Sequence, residues 1–314
     1  MIETIAEVSL PVMEKLKIKK NRINGGSGAQ KKRISIVTGI HGDELEGQYV
    51  CYELSRQLQS HLEYLNGTVD IYPAINPLGI DSIQRGIPAF DLDMNRVFPG
   101  NEKGSMTEYV AAEIMADLLG SDLVIDIHAS NIFLTEIPQV RINALHTDVL
   151  MPFAQKLNVD LIWIHDSSTV LESTLAYSLN SRQTPTLVVE MGVGMRITAA
   201  YCEQLLKGIF SVMKEMGIWT GPVEPVRSPL VAREADDVYF LNAPTAGIFI
   251  SKAEHGTWLQ EGEEIGSVVD PLQGRILERM KAPVAGLLFT RREYPVVNEG
   301  SLIARILKKD GERT

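Results

Sequence analysis

The stretch Thr38-Gly39-Ile40-His41-Gly42-Asp43-Glu44-Leu45-Glu46-Gly47 decides how this chain is read. It follows the apolar run at residues 34–37 and precedes a long helical pattern, so it lies at a strand end. A His and a Glu separated by two residues, set among glycines, are a way to begin a zinc site. The strand fixes the backbone, the glycines let the turn pass close to an ion, and imidazole plus carboxylate suit Zn²⁺. Two ligands are too few. The rest of the chain must supply a third, a base, and groups that hold whatever is cut.

Working outward, the pattern alternates strand and helix. Apolar residues recur at Val50, Leu54, Leu58 and Leu62, a helical stripe. Strands are predicted at residues 69–73, 123–128, 161–164 and 186–190, and helices at 106–119, 148–157, 174–180 and 199–216. Such alternation predicts a mixed, mostly parallel α/β sheet with helices on both faces. Functional groups in these sheets gather beyond the C-terminal strand ends. His41, His128 and Glu190 all fall at or just past such an end. Residues 1–32 read as an amphipathic then basic segment, with Asn24-Gly25-Gly26-Ser27-Gly28 as a turn. Lys19, Lys20, Lys31, Lys32 and Arg33 read most simply as a solvated hairpin face.

His128 ends the run Leu123-Val124-Ile125-Asp126-Ile127 and is the natural third ligand. Asp126 shares its strand face, either orienting an imidazole or serving as a hydrogen-bonded strand carboxylate. Of the remaining histidines, His61, His146 and His255 read as surface or core residues, and His165 stands at a strand end. Two His and one Glu leave a position open for water, the pattern of a catalytic site. Glu190 closes the apolar strand Thr186-Leu187-Val188-Val189 and is placed to act as general base. The loop from Asn76-Pro77 through Arg85-Gly86 to Asp93-Met94-Asn95-Arg96 adds two arginines and an amide. Arginine forks bind carboxylates, and an amide hydrolase needs a cation at its developing oxyanion. In the simpler reading, Arg96 pairs with Asp91 or Asp93 to pin the loop.

Composition sets the bounds. The formal net charge of −10 over 314 residues argues against nucleic-acid binding. No segment approaches the ~18 apolar residues of a membrane span, and the N-terminus lacks a signal-peptide pattern, so the cytoplasm is expected. Cys51 and Cys202 fall in helical patterns and read as buried thiols.

After Gly221-Pro222-Val223-Glu224-Pro225 the pattern turns to short apolar pieces between Gly, Pro and acidic turns. The expected division is a catalytic domain at 1–222 and a small all-β barrel or sandwich module at 223–314. The module carries a quasi-repeat. Ala243-Pro244-Thr245-Ala246-Gly247 answers Ala282-Pro283-Val284-Ala285-Gly286, and residues 256–262 are echoed by 294–300. It resembles the duplicated half-barrels of biotinyl and lipoyl carrier domains. Met280-Lys281 runs straight into Ala282-Pro283, so no acceptor lysine is expected.

Together the ordered motifs at residues 39–47, 76–77, 85–86, 93–100, 126–128 and 189–192 resemble the succinylglutamate desuccinylase/aspartoacylase family of zinc carboxypeptidase-like hydrolases, which implies a zinc carboxypeptidase-like α/β fold. The resemblance implies that His41, Glu44 and His128 bind one zinc and that Glu190 is the general base and acid. It implies that Arg85 polarises the scissile carbonyl and that Asn95 and Arg96 hold a substrate carboxylate. A further family arginine shortly before the catalytic Glu has Arg182 as its nearest counterpart. The family's usual Asp-Leu-Asn-Arg stands here as Asp93-Met94-Asn95-Arg96.

The expectation is therefore a zinc amidohydrolase that removes an N-acyl group, acetyl or succinyl, from a small amino acid or related amine. A metallocarboxypeptidase acting on short peptides and a zinc-stabilised binding protein are the alternatives. The module either caps the site or mediates homo-oligomers.

Overall fold

The structure, a computed structural model, describes residues 1–26, 32–88, 90, 92–165, 172–233 and 237–309. Ser27, Gly28, Lys31 and Asp91 of the sequence reading lie outside the described residues. The first strands are β1 Ile2–Ser9, β2 Lys15–Asn24, β3 Arg33–Thr38, β4 Thr68–Tyr72, β5 Leu123–Ala129, β6 Leu134–Asn143, β7 Leu161–His165 and β8 Thr186–Gly192. The helices are α1 Glu46–Ser60, α2 Pro77–Ser82, α3 Met106–Leu118, α4 Thr147–Ala154, α5 Leu175–Asn180 and α6 Ala199–Glu215.

The strands join in the order β1-β2-β4-β3-β5-β8-β6. The four central strands β4, β3, β5 and β8 are mutually parallel. The β1–β2 hairpin closes one side antiparallel, and β6 runs antiparallel to β8 on the other. Alternation along each central strand separates two cores. Ile34, Ile36, Ile125, Ile127, Leu187 and Val189 pack with α1 and α6 on one face. Val37, Tyr72 and Val124 pack with α3 and α5 on the other. Asp126 and His128 follow Val124 at the two-residue spacing of that second face, so the strand period delivers them towards the α3/α5 side. The expected α/β architecture is what forms.

Two readings of the sequence need correction. Lys20 is not solvated: it is 2% exposed, with its ammonium 2.6 Å from Asp117 and 3.3 Å from Asp70. Arg33 donates to the carbonyls of Asp117, Leu118 and Leu119. Buried cations persist when paired, and here the partners come from β4 and α3, distant in sequence. Second, β6 was not expected. Its alternation from Gln139 to Asn143 is broken by Pro138, at a bulge between Glu136 and Gln139.

The C-terminal strands are β9 Leu230–Ala232, β10 Val238–Asn242, β11 Gly247–Ser251, β12 Trp258–Leu259, β13 Glu264–Asp270, β14 Arg275–Lys281, β15 Gly286–Arg292, β16 Val296–Val297 and β17 Leu302–Lys308. The quasi-repeat is visible as exchanged strands. β12 of the first half pairs with β15 of the second, and β16 of the second half pairs with β11 of the first. One sheet, β14-β13-β11-β16, stands apart. The other is continuous with the main sheet, because β15 pairs antiparallel with β6 through Thr290↔Glu136 and Arg291↔Thr135. No helix of the described residues is long and apolar enough to cross a membrane.

Candidate active site

His41 and Glu44 sit in the loop between β3 and α1, and His128 near the end of β5. All three are nearly closed to solvent, at 3%, 3% and 4% exposure. The loop can turn this tightly because Gly39 takes a positive φ of 70°. Gly42 lies so close to α2 that a Cβ would stand 2.0 Å from the Gly79 carbonyl carbon. Asn76 ties the surroundings together. Its Oδ1 accepts from Gly79 N, capping α2, while its Nδ2 donates to the carbonyls of Ile40 and Gly86. The Asn-Pro motif is thus a clasp for the ligand loop and the Arg85 segment.

Both imidazoles present Nδ1 to Glu44. His41 Nδ1 lies 2.6 Å from Oε1 and His128 Nδ1 lies 2.9 Å from Oε2. Behind each ring stands a second carboxylate: Asp93 is 3.1 Å from His41 Nε2, and Asp126 is 3.1 Å from His128 Nε2. The Asp126 contact is an ion-pair distance without hydrogen-bond geometry, since neither Asp126 oxygen has a hydrogen-bond partner. Burial disfavours charge on both rings, but the carboxylates outweigh it and raise both imidazole pKa values. Burial likewise opposes ionisation of Glu44, and the imidazoles of His128 and His41 overcome it, lowering its pKa. Asp93 behaves the same way: against burial, His41 and Arg85 hold it at about 2.

Donor atoms of His41, Glu44 and His128 lie within 4.8 Å of one another. A carboxylate behind each ring is how metal-ligating histidines are oriented, and the donor set suits a divalent ion. These residues can hold a metal.

The triad opens into a cavity of about 230 Å³ lined by His41, Arg85, Asn95, Arg96, His128 and Glu190, among others. Glu190 is the register partner of His128 across the β5–β8 ladder, so both carry their side chains to the same face. Burial raises the Glu190 pKa, partly offset by Arg141, whose Nη1 lies 3.2 Å from Oε1. A larger groove of about 770 Å³ lies between α1 and α6 and holds none of the expected site residues.

Arg85 donates to Glu44 Oε1 at 2.7 Å. Asn95 is buried, its Oδ1 accepting from Leu175 N at 2.9 Å. Arg96 donates to the Asn95 carbonyl and stands 3.9 Å from Asp93, so it partly pins its own loop while facing the cavity. Arg182 is not brought to the site. It is exposed beyond α5, donates to Ser178 O, and precedes the start of β8. Asp126, His146 and His165 do line the cavity. The residue that the sequence reading missed is Arg141 on β6. The alternation Gln139-Val140-Arg141-Ile142-Asn143 was the available signal.

Fold and site together define a class: α/β proteins that can seat one metal ion beside a half-buried carboxylate in a small cavity. Residues 30–216 match the succinylglutamate desuccinylase/aspartoacylase catalytic domain. The chain belongs to that family. It is 26% identical, over 85% of its length and 80% of the relative's, to the N-alpha-acetyl-L-2,4-diaminobutyric acid deacetylase of Halomonas elongata. The fold is shared with a succinylglutamate desuccinylase/aspartoacylase from Rhodobacter sphaeroides (TM-score 0.82, 22% identity, 98% of this chain and 96% of that one). It is also shared with the product-bound ectoine utilization protein EutE (DoeB) from Ruegeria pomeroyi (TM-score 0.82, 20% identity, 96% and 93%).

Proposed function

We propose that this chain is a zinc-dependent amide hydrolase that removes an N-acyl group from a small amino acid or related amine. Residues 1–222 serve as the catalytic unit. The observation that carries the reading is Glu190 beside His128 on neighbouring strands, lining one cavity with both imidazoles of the triad.

When held by His41, Glu44 and His128, zinc supplies a Lewis acid that acidifies water and polarises a carbonyl. Glu190 takes the proton of the attacking water and returns it to the departing amine nitrogen. Its burial makes it a stronger proton acceptor than a free carboxylate, while Arg141 keeps it ionised. Arg85 supplies positive charge where the carbonyl oxygen becomes an anion. Arg96 and the Asn95 amide bind a substrate carboxylate at the cavity wall. Asp93 and Asp126 orient the two imidazoles.

Cavity size favours a small substrate. At about 230 Å³ it falls below the roughly 300–1,000 Å³ of sites that enclose drug-sized ligands. This supports an acylated amino acid over the peptide of a carboxypeptidase. The Halomonas relative is named for an acetylated diamino acid, so acetyl substrates come first. The test is amine release by the zinc-loaded protein from N-acetyl and N-succinyl amino acids beside unblocked dipeptides. Release from one acylated set, lost on chelation, supports the reading. Release only from dipeptides, or no release with zinc bound, overturns it.

A further inference from the structure

The base is tied to the C-terminal module by a chain of half-buried charges that meet at the buried Glu136. Arg141 divides its guanidinium between two carboxylates: Nη1 lies 3.2 Å from Glu190, and Nη2 lies 2.9 and 3.1 Å from the two oxygens of Glu136. Glu136 is 1% exposed and takes a second arginine, Arg305 of β17, at 2.5 Å. Thr290 of β15 donates to the same oxygen at 3.2 Å.

Strand geometry builds this chain. Glu136, Thr290 and Arg305 are register partners across β6, β15 and β17, one row over the sheet. Without the bulge at Ile137-Pro138, Glu136 and Arg141, five residues apart, would face opposite sides. With one extra residue, Glu136 pairs with Gly192 and Gln139 with Glu190, so Glu136 shares the cavity face with Arg141. Trp163 of β7 lies between the two arginines, its ring 5.8 Å from the Arg141 guanidinium carbon and 5.6 Å from that of Arg305. Indole faces attract guanidinium groups, so Trp163 helps hold both beside Glu136.

The charges explain why the second arginine is needed. Arg141, Arg305, Glu136 and Glu190 sum to zero. Were Arg305 absent, Glu136 would be a buried carboxylate with one cation to share, and it would draw Arg141 away from Glu190. Arg305 satisfies Glu136 and leaves Nη1 of Arg141 for the base.

We infer that Arg305 is a positioning residue for Glu190, acting through Glu136 and Arg141, so that the C-terminal module is part of the catalytic apparatus. This rests on the reading of Glu190 as base. The competing account is that the cluster only fastens the module to the catalytic sheet.

The experiment compares the wild type with Arg305→Met, Arg305→Lys, Glu136→Gln and the Glu136→Gln/Arg305→Met double variant, all zinc-loaded. It reads kcat, KM, thermal midpoint and the guanidinium signals of Arg141 in ¹⁵N-arginine NMR spectra, assigned with Arg141→Gln. Arg305→Met is expected to lower kcat about tenfold with KM held within about twofold. Arg305→Lys, which keeps the charge but loses the fork, should recover most of the rate and carries the test should the methionine variant fail to fold. In the Glu136→Gln background, Arg305→Met should cost less than about a further twofold, because the intermediary is already gone. The Arg141 guanidinium signals should be resolved in the wild type and averaged by rotation in Arg305→Met. An unchanged kcat in Arg305→Met, a full tenfold loss in both backgrounds, or Arg141 signals that ignore Arg305 would each overturn the inference. Absence of turnover in the wild type counts against the hydrolase reading instead. In that event the arginine spectra alone decide whether Arg305 holds Arg141.

Discussion

Replacing Arg141 with glutamine should move the acid limb of kcat/KM to higher pH. Burial is the larger influence on Glu190 and holds its pKa above 4.5, while the Arg141 charge at 3.2 Å acts in the opposite direction. An opposite charge within about 4–6 Å lowers a carboxyl pKa by roughly 1–3 units. Arg141 is shared between Glu190 and Glu136. The divided cation acts less strongly on Glu190 than an unshared one would, so the limb should move by the smaller part of that range. The sign follows from the charge removed. Without the cation the neutral acid is favoured, the Glu190 pKa rises, and the proton-accepting form is lost at a higher pH. The negative charge of Glu136 then acts on Glu190 with less compensation, which pushes the same way. The assay is kcat/KM from about pH 5 to 9 at constant ionic strength, since this ratio reports groups of the free enzyme. A limb that stays in place, or moves to lower pH, refutes the assignment of Arg141 as the counter-charge of the base.

Other consequences are more local. Gly42→Ala puts a methyl group into the backbone of α2, so metal affinity should fall at least about tenfold and stability by about 2 kcal/mol or more, read by metal titration and thermal melts. Metal-stripped protein should lose stability as pH rises above 6.5. Its raised His41 and His128 contribute fully below that value and are lost through their higher folded pKa values, whereas lowered Glu44 contributes above 4.5. Melts of stripped and metal-loaded protein across this window should therefore diverge with increasing pH; parallel curves would contradict the triad geometry. Arg182→Ala should leave kcat/KM within about twofold, because that side chain only caps its own turn.

Much of this site was legible because its parts are local. His41 and Glu44 share one loop, and His128 and Glu190 each stand near a strand end where the apolar run stops. Strand periodicity then fixes which face they share. What escaped depends on partners remote in sequence or on interrupted patterns. Lys20 looks like one member of a basic surface run until Asp70 and Asp117 arrive from elsewhere in the fold. Arg141 sits on a strand whose alternation is broken by Pro138 and the bulge. Its connection to Arg305 runs through a contact spanning 169 residues. Arg182 was weighed by nearness along the chain. It precedes β8, whereas Glu190 lies towards the other end, with roughly 13 Å of strand from Thr186 to Glu190 between them. The module's repeat was readable as sequence, but its joining to β6 was not, since pairing of β15 with β6 leaves no local signature.

In the proposed mechanism Glu190 moves the proton in amide cleavage beside a metal held by His41, Glu44 and His128. The most direct test of that role is Glu190→Gln, assayed for bound zinc and for kcat on the best acylated substrate. One zinc per chain is expected, as in the wild type, with kcat lowered by roughly 10²–10⁴. A variant that keeps its zinc and turns over at a near-normal rate would contradict it.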